Sequence, residues 1–465
     1  MKHGQRAAAF VAALAAATAL PGAMAVAAAE SVPGYRTADG ATEVKGTSSA
    51  ATAPPLKPGL HTDTIRRGEQ KYYAVTLDDR NNAYFSVVAA PRPGTKVEDY
   101  KDKLTLTVQD SSGATCSEAT PSFNGGGMAY PIADYAFRRI GTDRSDCQKA
   151  GPYYVVVERD GSATSGPDLW PIELDHLDEP PLKGSTPARP GRGTWSTATP
   201  APRTDATKRN AQGGTGFNDA GSVAAGVWRD RIKPGESRFY RVPVDWGQRL
   251  NLSAELPNSP AASHDFVTNA LGLGVYNPAR GAVSTNNFVP YRGQPAAAKV
   301  FTAPVDYGNR LDPTDSVSAM RFAGWYYLEV SLHPDAAQYF PKGAELTLRV
   351  DVRGAAKSGP GYADPAGAFT VTPEDQETAR TGRTAQEAAK SGTLTVVGYA
   401  GIGTGAVLLA GLGSWTLVAR RSAAAGSRGP GTAPELPQQR GGPHRPTQPG
   451  QHHGHQQQFG PPPGR

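Results

Sequence analysis

The chain has 465 residues, room for two or three domains of ordinary size. Its 54 glycines and 41 prolines exclude an all-helical protein and suit turn-rich β structure with linkers. Two cysteines exclude both a disulfide scaffold and a Cys-rich zinc site. The formal net charge of +6 belongs to the ends: Lys2 and Arg6 at the start, and six arginines against one acid, Glu435, from Arg420 onward. The stretch between is close to neutral, so the positive field of a nucleic-acid-binding domain is missing and no nucleic-acid partner is expected. The Ala, Gly, Pro and Arg load is that of a high-GC bacterial proteome.

Residues 1–29 read as a secretory signal peptide. Lys2 and Arg6 form a positive start, Ala7 to Leu20 is apolar, and Ala23-Met24-Ala25 or Ala27-Ala28-Ala29 offers a small-residue cleavage site. A β-sandwich is then expected over 50–179, a linker over 180–215 and a second sandwich over 216–354. Short alternating or β-branched runs bounded by Gly, Pro and Asp mark the strands, and no helical period lies between them. The fold class expected is all-β: two tandem antiparallel sandwiches, jelly-roll or immunoglobulin-like, followed by a transmembrane helix and a disordered tail.

An internal repeat supports the two-sandwich reading. Asp63, Ile65, Gly68, Glu69, Tyr73, Val75 and Asp78 recur 167 positions later as Asp230, Ile232, Gly235, Glu236, Tyr240, Val242 and Asp245. Leu104, Leu106 and Val108 recur as Leu271, Leu273 and Val275. Near the end of each unit, Gly151-Pro152-Tyr153-Tyr154 matches Gly324-Trp325-Tyr326-Tyr327. These residues read as scaffold. Gly68 and Gly235 permit tight turns, Gly151 and Gly324 mark a bend into a strand, and Asp78 and Asp245 cap turns.

This pattern resembles the bacterial pre-peptidase C-terminal domain, a small β-sandwich appended to secreted enzymes and surface proteins. The likeness covers Asp63–Asp78, Leu104–Asp110 and Gly151–Val157 in the first unit. In the second it covers Asp230–Asp245, Leu271–Asn277 and Gly324–Val330. It implies a sandwich fold and says little about function. No catalytic domain precedes either unit, which departs from the family's usual setting.

Residues 355–392 read as a stalk, partly helical over Thr372 to Lys390. Leu394 to Ala419 carries no charge and no proline, and its 26 residues exceed the ~30 Å hydrocarbon core at 1.5 Å per residue. A transmembrane helix is expected over 393–419. Arg420 and Arg421 follow it and mark the cytoplasmic boundary. Gly401 and Gly405 form a GxxxG pair that chance accounts for in so glycine-rich a run. Residues 420–465 are Pro-, Gly-, Gln- and His-rich and are expected to be disordered. The topology is thus a single-pass type I protein of the cell membrane.

Candidate chemistry is sparse. Cys116 and Cys147 fall outside the cell, where a disulfide is favoured over two free thiols. The sequence lacks GxSxG, SxxK and HExxH motifs. His61, His176, His264 and His333 are each isolated. Glu173, Asp175, Asp178 and Glu179 offer oxygen ligands for calcium, though their spacing matches no calcium loop and a solvated strand end is the alternative. His444, His452, His453 and His455 could bind a transition metal, and Pro461-Pro462-Pro463 a polyproline reader, with low-complexity drift as the plainer reading. Trp195 is either a recognition anchor in the linker or packed on a domain edge. No cofactor and no catalysis are expected. The function expected is a non-catalytic one: two binding modules presented at the cell envelope, with other envelope proteins or wall polysaccharide as partners. The alternative is an accessory subunit of an exported hydrolase.

Overall fold

The computed structural model describes residues 32–141, 146–184, 207–259, 261, 265–384 and 387. The first unit runs β1 (Thr42–Glu43), β2 (Gly59–Ile65), β3 (Gln70–Leu77), β4 (Asn82–Ala89) and β5 (Lys103–Asp110). It continues with β6 (Thr115–Ala119), β7 (Ile132–Arg138), β8 (Gly151–Asp160) and β9 (Trp170–Glu179). The second unit runs β10 (Lys208–Asn210), β11 (Gly221–Ser222), β12 (Gly226–Ile232), β13 (Ser237–Val244) and β14 (Arg249–Leu256). It ends with β15 (Val267–Tyr276), β16 (Ala282–Tyr291), β17 (Ala296–Phe301), β18 (Gly324–Leu332) and β19 (Ala344–Arg353).

Each unit is a jelly roll. In unit one the sheets are ordered β1-β2-β9-β4-β7 and β3-β8-β5-β6. In unit two they are β10-β12-β19-β14-β17 and β11-β13-β18-β15-β16, which is the same winding. Alternation drives it: Leu104, Leu106 and Val108 of β5 face inward and are buried while Thr105 and Thr107 face away. The ladders keep the register of the sequence repeat. Ala74 opposes Tyr154 in one unit and Arg241 opposes Tyr327 in the other.

The repeated residues form the same hydrogen-bonded set twice. Tyr73 Oη and Gly46 N donate to Asp63 Oδ2 at 2.9 and 2.8 Å. Tyr240 Oη and Gly213 N donate to Asp230 Oδ2 at 2.7 and 2.7 Å. Gly68 and Gly235 turn at φ +72° and +84°, the left-handed region that glycine enters without strain. Cys116 and Cys147 form a disulfide with Cα atoms 5.7 Å apart, tying β6 to the segment before β8.

Two expectations about boundaries change. Both units start earlier than position 50 or 216: Val44 joins the first core, and β10 pairs with β12 from Lys208. Residues 355–384 do not rise away as a stalk. They strap the second unit: Lys357 N donates to Trp246 O, Phe369 is buried, and Ser222 N donates to Arg383 O. A helix does form within the stretch expected to be helical, at Pro373–Thr378, capped by Thr372 and Asp375. Among the described residues no helix is long and apolar enough to cross a membrane. The leader, Trp195, Leu394–Ala419, Arg420, Arg421 and the tail histidines lie outside the described residues.

The two units are not beads on a linker. The outer face of the β1-β2-β9-β4-β7 sheet packs on the outer face of the β11-β13-β18-β15-β16 sheet. Val88 and Ala133 of unit one meet Phe217, Phe239 and Tyr276 of unit two. Tyr84 lies edge-on to Phe322 at 4.9 Å and to Phe369 at 5.8 Å. Every residue of β4 is therefore buried, on both faces. Gly281 sits against the ring of Tyr135 so closely that a Cβ there would lie 1.9 Å from it. A Gly281→Ala variant should lose about 1–3 kcal/mol by overpacking this contact. Guanidinium unfolding followed by tryptophan fluorescence measures it, and an unchanged midpoint would show that the units do not meet here.

Candidate functional site

A groove of about 570 Å³ opens between the two sheets at one end of unit one. One wall is Pro55–Pro58, laid along edge strand β3: Leu56 N donates to Ala74 O and Ala74 N to Pro54 O, both at 2.8 Å. Two inward histidines hold that wall. His61 Nε2 donates to Lys57 O at 2.8 Å, and His176 Nδ1 donates to Leu56 O at 3.2 Å. The second bond requires a proton on His176 Nδ1. Nε2 has no hydrogen-bond partner and stands 3.3 Å from Asp178 Oδ1.

The opposite wall carries Arg138, at the end of β7 and 1% exposed. Arg138 Nη1 donates to Asn81 O at 3.1 Å, and Nη2 donates to Asp78 O. Its Nε is buried and unpartnered. Burial lowers its pKa, against the opposing pull of Tyr153, Asp78 and Asp178. Asp78 borders the groove and caps the β3–β4 turn. Burial raises its pKa, but the amides of Asn81 and Arg80 together with the Arg138 guanidinium outweigh that and hold the carboxyl below its ordinary range.

The duplicate shows what the fold alone requires here. His176 opposes Gly59, and the corresponding partner of Gly226 is Val350. Asp178 opposes Ala83, and the corresponding partner of Leu250 is Val352. Arg138 also opposes Ala83, and beside Leu250 that place is taken by Thr302, whose Oγ1 accepts from Leu250 N. Unit two closes this end with buried Val305, Tyr307 and Trp246, the last packed under Gly359. The jelly roll therefore folds with Val350, Val352 and Thr302 at these three positions, and the set His176, Asp178 and Arg138 is particular to unit one, while unit two stacks buried Arg310 on Tyr307 nearby.

The acids once read as calcium ligands separate by strand alternation. Asp178 faces inward to the groove, while Glu173, Asp175 and Glu179 face unit two. Glu173 is 1% exposed and accepts from Tyr35 Oη, Ala38 N, Asn218 Nδ2 and Arg280 Nη1, the last at 2.5 Å. Glu179 accepts from Tyr84 Oη, Asn82 Nδ2 and Tyr362 Oη at 2.6–2.9 Å. Among the described residues no group of three or more His, Cys, Asp or Glu is arranged to hold a metal. His333 caps a turn, its Nδ1 accepting from Asp335 N. His264 lies outside the described residues.

The remaining repeat residues are structural contacts. Gly151 and Gly324 begin β8 and β18 at φ +148° and +137°. Tyr154 stands edge-on to Tyr72, while Tyr327 packs on Phe217 in the interface. Asp245 Oδ1 accepts from Trp246 N. Arg138 was not foreseen, because the strand Ile132–Arg138 is not among those the sequence pattern marks. An arginine two positions past Ala136, in phase with that inward residue, is the signal that points to it.

Comparison with known proteins adds little. No protein-family model matches the chain, and no curated protein matches it. Solved structures that the chain matches include the CUB1-EGF-CUB2 domain of human MASP-1/3, at 8% identity, 63% of this chain, 99% of that chain and a TM-score of 0.15. The tandem CBM51 modules of a family 98 glycoside hydrolase from Streptococcus pneumoniae align at 9%, over 63% and 83%, with a TM-score of 0.18. The CBM22-1-CBM22-2 tandem of a Paenibacillus barcinonensis protein aligns at 9%, over 70% and 99%, with a TM-score of 0.17. Likeness at these scores carries no argument. The strand ladders themselves define a tandem jelly-roll protein, and a polar groove opens at the end of its first unit.

One buried acid makes the interface sensitive to pH. Glu329 of β18 is fully buried, accepting from Tyr276 Oη at 2.9 Å and Ser331 Oγ at 3.3 Å. Burial outweighs those bonds and pushes its pKa from 4.5 up to about 8. The folded chain therefore holds a proton that the unfolded chain gives up above about 4.5. Stability from this group is full below 4.5 and is lost as pH rises through about 8. Asp134, pushed up to about 6 by burial, adds the same slope at lower pH. Denaturation midpoints should fall between pH 5 and 9, and Glu329→Gln should flatten the upper part of that fall.

Proposed function

We propose that the chain is a non-catalytic cell-envelope protein of a high-GC Gram-positive bacterium. In this reading residues 1–29 direct export and 393–419 anchor the chain. The jelly rolls, modules of pre-peptidase C-terminal type, stand outside as one body. Binding takes place in the groove of unit one. The observation that carries the reading is the difference between the duplicates: three matching positions at the same end of the same fold hold Val350, Val352 and Thr302 in unit two and His176, Asp178 and Arg138 in unit one. A charged and polar set kept where valines suffice is a binding feature rather than a folding one. The Cys116–Cys147 disulfide suits the oxidising side of the membrane.

Two measurements test this. In the native host, a cysteine at half-exposed Leu169 should react with an impermeant maleimide on intact cells, and one at Phe459 only after lysis. The reverse pattern overturns the topology. A photo-crosslinking residue at Thr76, which is exposed on the groove, should capture an envelope component that the same residue at Leu169 does not. Equal capture from both positions overturns the groove as the binding site. Capture of an exported hydrolase from Thr76 would make the chain that enzyme's accessory subunit.

A further inference from the structure

We infer that the groove of unit one takes a neutral, polyhydroxylated ligand, a short saccharide, and this rests on the reading of that groove as the binding site. Four observations converge on that chemistry. The first is size: about 570 Å³ lies within the range of sites that enclose a small organic ligand, which suits one or two sugar rings. The second is charge. Lys57 and Arg138 stand against Asp78 and Asp178, so the lining is balanced, and neither an anion nor a cation finds a net complement.

The third is hydrogen-bonding capacity. Arg138 brings a buried Nε–H without an acceptor, and His176 brings a buried Nε2 without a hydrogen-bond partner, 3.3 Å from Asp178 Oδ1. The carboxylates of Asp78 and Asp178 add exposed acceptors at the rim. A hydroxyl both donates and accepts, so neighbouring hydroxyls on one ring can serve donor and acceptor sites together. An apolar ligand leaves them unserved, which is costly at buried groups. The fourth is the remaining wall: Pro55, Pro58, Leu77 and Pro152 offer apolar surface to the C–H faces of a ring.

The duplicate also supplies the test variants. Val350, Val352 and Thr302 occupy the positions of His176, Asp178 and Arg138 in a folded jelly roll. His176→Val, Asp178→Val and Arg138→Thr therefore exchange the polar set for one that this fold accepts. Full-length protein in detergent is titrated with cellobiose, maltose, mannobiose and chitobiose by calorimetry and saturation-transfer NMR. Glucose 6-phosphate and the dipeptide Gly-Pro serve as the charged and peptide comparisons.

Binding of at least one neutral disaccharide is expected, weakened about tenfold or more by Asp178→Val and by Arg138→Thr, since each removes a charge-assisted bond. Near-ultraviolet circular dichroism checks that the variants keep their packing. If a variant does not, Thr76→Trp, which crowds the groove from its exposed rim, should abolish binding instead. Binding of none of the four disaccharides overturns the inference. So does tighter binding of glucose 6-phosphate or Gly-Pro, or neutral binding that survives both Asp178→Val and Thr76→Trp. Specific crosslinking from Thr76 to a protein, without saccharide binding, sinks the saccharide while leaving the binding role intact. Failure of both experiments overturns both.

Discussion

The pair Glu173–Arg280, at 2.5 Å and almost wholly buried, is the contact on which the arrangement of the molecule turns. An isolated buried carboxylate is too costly to keep, and a buried ion pair is tolerated only when its other lone pairs and protons are satisfied. Glu173 meets that condition by gathering four donor residues from three parts of the chain: Tyr35 and Ala38 before the first unit, Asn218 at the start of the second, and Arg280 between β15 and β16. Arg280 reaches it from a left-handed backbone at φ +60°, a conformation that a long side chain keeps only when its surroundings demand it. Separating the units would strip Glu173 of Asn218 and Arg280 together. The interface is therefore closed or absent, with little between.

That constraint reaches the groove through β9. The strand alternates, so Glu173, Asp175 and Glu179 look out to unit two while His176 and Asp178 look in. Fixing the outer row by the Glu173 and Glu179 networks fixes the register and twist of the inner row. β4 behaves alike, with Tyr84 and Val88 held by unit two and Ala83 facing the groove. Sites carried on strands braced from behind are held more tightly than sites on loops. The second unit thus acts as a backing plate for the groove of the first.

Much of the fold was legible in the sequence, for a physical reason. Turn glycines, inward aromatics and the Asp–Tyr pair are local demands of a jelly roll, so they recur in both units, at a constant offset from Asp63 to Val108. The interface was not legible. Its members are hydrophobic or acidic residues on outward positions, and an outward Glu173 or Tyr84 reads as a solvated face until the partner surface is known. The strap was missed because a stretch rich in Gly, Pro and Ala looks like a stalk. Phe369 and Tyr362 were its only large apolar anchors, and one of them binds a carboxylate across the interface. Of the groove, Asp78, His176 and Asp178 were each visible as residues. Their convergence with Arg138 needed the sheet order.

The duplicates have parted in a consistent direction. Unit two has Val350, Val352 and Thr302 at its end, adds Trp246 and Tyr307, and is wrapped by residues 355–384. It also supplies the aromatic face that buries β4. Unit one keeps the disulfide and a polar end. Stability and recognition compete within a small sandwich, because every buried Arg or His that lacks a full set of partners weakens the core it sits in. Both units hold buried nitrogens without a hydrogen-bond partner, among them Arg138 and His176 in the first and Arg238 and Arg310 in the second, so the twins differ not in whether they carry such groups but in where they place them. In unit one, two of them lie at the groove end, where Arg138 and His176 stand in place of the twin's Thr302 and Val350, and the face shared with unit two braces the strand that carries His176 from behind.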